Sequence, residues 1–372
     1  MRVLHYLDSI NRGGAEVQAL DVARNAHRYG IELTVVTGKG GALEDEFRSA
    51  GIEFIKLDRK LPVDLFLALQ LRKIIRERKI EFVRGFQAVD GIHIYLSTRG
   101  LKGVKTVLSF EGFIPDSKNR RSLNFLIPRM SANIVVSRSL QEWLRVTDGL
   151  DTDNNFTIVY NGSDLARLAP TGKSLRRELG IDITAPLIGM IANFYRDPRK
   201  DQLTLTKALP AVMAEFPQTH CVFVGRTEKG AEAKIADCVD VCVQNNITDR
   251  AHFLGSRPDI PDILSDLDIS VLSSLQEGFP VTISESMLAG VPMVVSDIGP
   301  HLEATNNGEY AEIFPTGDPE ILAQKIIKLI RDPDIRWQLA EKSRNYAIEN
   351  MSIDSHLKHL KELYSSLSSR VS

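Results

Sequence analysis

The chain of 372 residues has only three cysteines, Cys221, Cys238 and Cys242. That is too few for a disulfide framework, and no further ligands at zinc spacing accompany the Cys238/Cys242 pair, so structural thiols are expected. No apolar run approaches the ~20 residues that cross a bilayer. The first residues, Met1-Arg2-Val3-Leu4-His5-Tyr6-Leu7, lack a secretory h-region, and a cytoplasmic location is expected. Charge of one sign is not in excess either: the formal net charge is −2, which gives no reason to expect a nucleic-acid partner. Residues 1–164 carry 24 Lys/Arg against 20 Asp/Glu and the remainder 22 against 28, so the first half is mildly basic.

What is present describes an ordinary folded chain, with 43% apolar and 25% charged residues. Its length suits two domains. Short apolar runs bounded by Gly, Asn, Asp or Ser alternate with longer amphipathic stretches, as buried parallel strands and their crossover helices do. Strands are expected at 3–7, 33–37, 53–57, 82–85, 105–109, 133–137 and 157–160, then at 187–192, 221–225, 252–255, 269–273, 293–296 and 312–314. Helices are expected at 64–79, 202–216 and 319–330. The fold class is therefore α/β, with two doubly wound Rossmann-like domains facing across a cleft. The expected domains are 1–165 and 166–353, with a last helix over 354–372 bracing the first.

One segment concentrates the chemistry: Glu277-Gly278-Phe279-Pro280-Val281-Thr282-Ile283-Ser284-Glu285. It follows an apolar strand and opens a helix, with Pro280 expected in the first helical turn. Gly278 permits close backbone approach, and the helix start offers free N–H groups to a phosphate. Carboxylates such as Glu277 and Glu285 accept hydrogen bonds from sugar or ribose hydroxyls.

This segment resembles the acidic signature of retaining glycosyltransferases of family 4, which have a GT-B fold. Other pieces fall in the same order: Gly13-Gly14-Ala15-Glu16 after the first strand, Asn161-Gly162-Ser163-Asp164 at the domain junction, Phe253-Leu254-Gly255, and Ala289-Gly290-Val291-Pro292. The resemblance implies transfer of a hexosyl group from a nucleoside diphosphate sugar to an acceptor hydroxyl, with no metal and no cofactor. It implies a donor with UDP favoured over GDP, a glycan or lipid-linked acceptor, and a role in bacterial surface polysaccharide or lipopolysaccharide assembly. It places Glu277 on the donor sugar, Glu285 on the ribose, and the backbone of Gly278, Phe279, Pro280, Val281 and Thr282 on sugar or phosphate. Gly13 and Gly14 then approach the diphosphate and acceptor, and Glu303 meets phosphate or ribose.

The family's Arg and Lys for the diphosphate map to Arg196 and Lys200, although the spacing departs from the usual pattern. Asp201 stands where glycine is usual, and Arg199 competes for one of the two roles. The acceptor-side histidine of many members is missing, and Glu111 occupies its position. Glu111 reads equally as a base for the acceptor hydroxyl and as a solvated loop acid.

Asp266-Leu267-Asp268 mimics an acidic metal triplet but reads better as a solvated turn, and His356 with His359 as a surface pair. The basic and apolar stretch 118–130 reads as a packed helix with a charged face or as a peripheral membrane contact. A non-hydrolysing sugar-nucleotide epimerase and a non-catalytic nucleotide-sugar binding protein are the alternatives. A nicotinamide dehydrogenase is disfavoured because no Gly-x-Gly-x-x-Gly follows the first strand.

Overall fold

The computed structural model describes residues 1–114 and 117–369. The chain separates into two compact units, one of residues 1–162 with the last helix from Ile353, the other of Ser163–Ser352.

The first unit is built on a seven-stranded sheet. Its strands are β1 (Arg2–Leu7), β2 (Glu32–Thr37), β3 (Glu53–Lys56), β4 (Phe82–Gly85), β5 (Lys105–Phe110), β6 (Ala132–Val135) and β7 (Phe156–Ile158). They lie in the order β3-β2-β1-β4-β5-β6-β7, and every neighbouring pair is parallel. The second unit carries β8 (Leu187–Ile191), β9 (His220–Val224), β10 (Ala251–Gly255), β11 (Ile269–Leu272), β12 (Met293–Ser296) and β13 (Glu312–Phe314). Its order is β10-β9-β8-β11-β12-β13, again parallel throughout. Each unit is thus doubly wound, with strand order reversing between β1 and β4 and between β8 and β11. Crevices at the carboxyl ends of strands at such reversals are the usual ligand sites of open parallel sheets.

All the apolar runs expected as strands are strands, with ends displaced by a residue or two. The expected helices form at Leu65–Glu77, Gln202–Glu215 and Pro319–Arg331. Each is capped by the acid before it: Asp64, Asp201 and Asp318 accept backbone N–H groups of the first turn. Asp201, in the usual glycine position, therefore earns its place as a cap.

Between Gly162 and Ser163 the backbone changes allegiance. Gly162 N–H donates to Gln18 Oε1 at 3.1 Å, whereas Ser163 N–H donates to the Met351 carbonyl at 2.9 Å. The last helix, Ile353–Ser369, packs on the helix Gly14–Asn25 and joins the core of the first unit. The Tyr364 ring lies 4.6 Å from that of Phe82, and Tyr29 donates its hydroxyl to Asp354 at 2.9 Å. The expected brace extended to residue 372; residues 370–372 lie outside the described residues.

His356 corrects the expectation of a surface histidine pair. It is buried, with Nδ1 2.7 Å from the Tyr160 carbonyl, while His359 is exposed. The helix turns about 100° per residue, so two positions three apart straddle the edge of its buried stripe. Asp266 and Asp268 are structural rather than merely solvated. Asp266 receives Ser174 Oγ and Arg176 N–H, and Asp268 receives Arg176 Nη2 and Leu187 N–H. All three cysteines are buried free thiols.

Candidate active site

In the second unit the loops that follow β8 and β11 are stitched together where strand order reverses. Asp201 N–H donates to the Ser273 carbonyl at 2.9 Å, Lys200 bridges Ser274, and Leu275 N–H donates to the Arg199 carbonyl at 2.9 Å. This pairing delivers the Lys200 ammonium to the Glu277 carboxylate, and the two form an ion pair with both side chains about nine-tenths buried. Ser274 Oγ donates to the same carboxylate oxygen, Oε1, at 2.8 Å.

Behind Glu277 the hydrogen bonds continue. Ser296 Oγ donates to the Ser274 carbonyl at 2.6 Å and lies 3.1 Å from His301 Nδ1. His301 is fully buried, and its Nε2 has no hydrogen-bond partner among the described residues. Burial pushes its pKa down to about 4; the charge of Glu277 pulls upward and that of Lys200 pushes further down. The imidazole is therefore neutral near pH 7, within electrostatic reach of the pair.

The helix Val281–Leu288 begins just after the Gly-Phe-Pro turn. Pro280 is its N-cap, with φ −78° and ψ 109°, so it stands one position before the first helical turn in which it was expected. Phe279 is buried, and Thr282 donates its hydroxyl to the Ile191 carbonyl at 3.2 Å, tying the helix start to the end of β8. Glu285 is buried on this helix and accepts Arg167 Nη2 at 2.8 Å. Nothing in the sequence marked Arg167 as a partner, because it lies 118 residues away. Glu303 sits half-buried in the short helix Gly299–Ala304.

The two arginines considered for the diphosphate are placed differently. Arg199 is exposed and held by Asp197, with contacts of 2.7 and 2.6 Å, over the Tyr195 ring. Arg196 is exposed, and its guanidinium has no hydrogen bond or ion pair among the described residues. Its backbone N–H donates to Glu228 at 2.8 Å, and its stem lies where a Cβ on Gly230 would come within 3.1 Å of Cδ. Gly230 has φ +91°, a conformation that favours glycine. The structure thus brings Lys200, Glu277 and His301 together, and leaves Arg196 a free cation on the neighbouring loop.

In the first unit Gly13 is the N-cap of Gly14–Asn25, and a Cβ there would meet the Glu16 carboxylate at 2.6 Å. Glu111, just beyond β5, is not a solvated loop acid. Its side chain is about nine-tenths buried, Arg84 Nη2 lies 3.5 Å from Oε1, and Asn161 Nδ2 donates to Oε2 at 3.2 Å. Burial raises the Glu111 pKa above the usual carboxylate range, while Arg84 and Asn161 pull it back. Arg84 is itself fully buried on β4 and donates Nε to Ser109 at 2.7 Å. A charged residue inside a strand already read as buried was the signal for Arg84, since buried charges are paired.

Along 118–130 the large apolar residues Leu123, Leu126, Ile127 and Met130 are buried, and Phe125 is exposed beneath Arg129, whose Cζ is 3.9 Å from the ring centroid.

Two parallel doubly wound units, with an acidic loop-helix signature at the reversal point of the second, define a GT-B glycosyltransferase. Residues 12–167 match the family model described as Glycosyltransferase Family 4, and residues 185–332 match that of Glycosyl transferases group 1. The chain belongs to the family 4 glycosyltransferases. It is 23% identical over 335 residues to the Escherichia coli UDP-Gal:alpha-D-GlcNAc-diphosphoundecaprenol alpha-1,3-galactosyltransferase, covering 87% of this chain and 84% of that one. A Rickettsia africae glycosyltransferase structure superposes with TM-score 0.84 at 18% identity, covering 99% of both chains. Anabaena HepE in complex with UDP gives TM-score 0.84 at 21% identity, covering 98% of this chain and 100% of that one. At these identities the structural likeness carries the fold.

Proposed function

We propose that this glycosyltransferase moves a hexosyl group from a UDP-sugar to the hydroxyl of a lipid-linked or glycan acceptor, with retention of anomeric configuration. The setting is bacterial surface polysaccharide or lipopolysaccharide assembly at the cytoplasmic face of the membrane. The observation that carries this reading is the Lys200–Glu277 pair at the strand-order reversal of the second unit, beside a helix start without a side-chain cap.

In the reaction the bond between the anomeric carbon and the diphosphate oxygen breaks, and the acceptor oxygen bonds to that carbon. The acceptor proton is lost. Negative charge grows on the departing diphosphate, and cations preorganised in a water-poor place stabilise it more than water does. Lys200 supplies one such charge and Arg196 a second, without a divalent ion. Glu277 accepts hydroxyls of the donor sugar, and Glu285, with Arg167 fixing one of its oxygens, the ribose. Backbone N–H groups of Gly278, Phe279, Val281 and Thr282, and the side chain of Glu303, complete the donor contacts. Glu111 is the acceptor-side base: burial raises its pKa, which makes the carboxylate a stronger proton acceptor.

Support for a uracil nucleotide comes from the UDP bound to HepE and the UDP-Gal in the name of the E. coli relative. That relative's name also gives a diphosphoundecaprenol-linked acceptor. Among the described residues, no helix is long and apolar enough to cross a membrane. The exposed basic residues of 118–130, with Phe125, offer a peripheral contact.

The test is a panel of UDP- and GDP-sugars with a diphosphate-lipid-linked acceptor, products read by mass spectrometry and the anomeric proton coupling by NMR. A glycosylated acceptor with the donor's anomeric configuration supports the reading. Isomerised UDP-sugar with no glycosylated product would make the protein an epimerase instead.

A further inference from the structure

We infer that His301 is a positioning residue for the donor site: through Ser296 and Ser274 it fixes the Glu277 carboxylate in the place where the donor sugar meets it. The inference rests on the role proposed for Glu277, and it adds a residue that is fully buried and acts only through its neighbours.

The strands β11 and β12 run side by side, with Leu272 beside Val295, so their chains leave the sheet together. Ser274 and Ser296 lie at that exit, and both are buried. Ser274 N–H donates to Ser296 Oγ at 3.2 Å, and Ser296 Oγ donates to the Ser274 carbonyl at 2.6 Å. One hydroxyl thus clasps both backbone groups of Ser274. From the clasped residue, Oγ donates to Glu277 Oε1 at 2.8 Å.

His301 closes the clasp from behind, and its neighbours settle which ring nitrogen carries the proton. Nδ1 lies 3.0 Å from the Ser296 carbonyl, which can only accept. It also lies 3.1 Å from Ser296 Oγ, whose single proton is already given to Ser274. Both neighbours need a donor, so Nδ1 bears the hydrogen. The ring is neutral near pH 7, because burial holds its pKa at about 4, and Nε2 is left as a bare acceptor. Nε2 has no hydrogen-bond partner among the described residues. A buried acceptor without a donor costs stability, and a leucine would fill the space without that cost. Packing therefore does not account for a histidine here; the Nδ1–H that orients Ser296 does.

The Lys200 loop is held by a separate set of bonds. Asp201 N–H donates to the Ser273 carbonyl at 2.9 Å, Ser273 Oγ to the Asp201 carbonyl at 2.6 Å, and Leu275 N–H to the Arg199 carbonyl at 2.9 Å. Breaking the clasp should therefore loosen Glu277 while the ammonium stays in place, and the loss should fall on turnover rather than on nucleotide affinity.

The experiment compares wild type, His301→Leu, His301→Asn, Ser296→Ala and His301→Leu/Ser296→Ala by steady-state transfer, UDP inhibition and the crystal structures of wild type and the single variants. Asparagine offers an N–H close to where Nδ1–H stood, and leucine offers none. The kcat should fall about ten- to hundredfold in His301→Leu and in Ser296→Ala, with UDP inhibition near wild type. His301→Asn should recover most of that loss. Residues acting through one chain of contacts do not add, so the double variant should be no slower than the slower single one. Should His301→Leu fail to fold, Ser296→Ala, which loses a single oxygen, carries the same expectation. Wild-type kcat in the folded variants, equal kcat in His301→Leu and His301→Asn, or losses that multiply in the double variant overturns the inference. If wild type transfers no sugar from any UDP- or GDP-sugar, the proposed function fails instead, and the crystal structures decide alone. Glu277 withdrawn from Ser274 Oγ in His301→Leu and Ser296→Ala, and in place in His301→Asn, then supports the positioning role; an unmoved carboxylate in all three overturns it.

Discussion

Lys200 and Glu277 stand 77 residues apart in the chain and form a nearly buried ion pair where the second sheet reverses its strand order. The pair exists because the loops after β8 and β11 hydrogen-bond to one another through Asp201, Ser273, Arg199 and Leu275. A buried charge left unpaired is costly, so in the absence of ligand each residue satisfies the other. Under the proposed function, donor binding exchanges that partner: the ammonium turns to phosphate and the carboxylate to sugar hydroxyls.

Removing either side should therefore have different consequences. Lys200→Ala should weaken UDP binding and transfer together. Glu277→Gln should leave UDP binding near wild type and lower turnover with the complete sugar nucleotide. Each loss corresponds to one charge-assisted contact, roughly 1.5–3 kcal/mol or about 10–150-fold. Steady-state kinetics with UDP inhibition constants separates the two patterns. Wild-type turnover in folded Glu277→Gln would remove that residue from the site.

Glu111 and Arg84 make a second pair of contrasting variants. Glu111→Gln keeps the shape and the Asn161 neighbour, and should cut the transfer rate while leaving UDP affinity intact. Arg84→Met removes the guanidinium that lies 3.5 Å from Glu111 and leaves a buried carboxylate without its opposite charge. That change should cost on the order of 3–5 kcal/mol of stability. Urea denaturation reads the second effect and single-turnover transfer the first. Unchanged transfer in Glu111→Gln would make Glu111 structural only.

The buried histidines set the acid limit of stability. His301 and His356 have folded pKa values of about 4 and about 3, against an ordinary 6.5. The unfolded chain takes up these protons first, so the stabilising effect is full above pH 6.5 and is lost as pH falls toward the folded values. Each histidine contributes a slope of about 1.4 kcal/mol per pH unit in that window. His356 acts on the first unit, which holds Trp143, and His301 on the second, which holds Trp337. Urea midpoints followed by fluorescence of single-tryptophan variants at pH 7, 5.5 and 4.5 should show both slopes, and His301→Gln should reduce only the second.

The thiols offer a quick check of packing. Cys221, Cys238 and Cys242 are buried, and burial raises all three pKa values, that of Cys238 to about 11. A thiol-disulfide reagent at pH 8 should find almost no fast-reacting thiol in the native protein and all three after denaturation. Rapid modification of a native thiol would show that the packing of β9 against the helix Glu232–Gln244 opens readily.

Much of the fold was legible because parallel strands covered on both faces are written as continuous apolar runs, and Asp64, Asp201 and Asp318 announce the helices they cap. Lys200 and Glu277 were legible through local pattern. Their pairing was not, because spacing along the chain does not say which loops a parallel sheet brings together. Arg167 beside Glu285 was hidden for the same reason. His301 lies two residues before Glu303, in a stretch that the family resemblance marks only through Glu303. The partnership of His301 with Ser296 depends on the turn after β12, which only the folded chain displays. Arg84 and His356 were missed because a lone polar residue on an apolar element has no local signature of its partner.

The most direct test of the central claim is calorimetric titration of UDP into wild type and Lys200→Ala, both in excess EDTA. The account predicts micromolar binding to wild type without a divalent ion, and binding at least about tenfold weaker in the variant. Wild-type binding that appears only when a divalent ion is restored, or equal affinity in the two proteins, would contradict it.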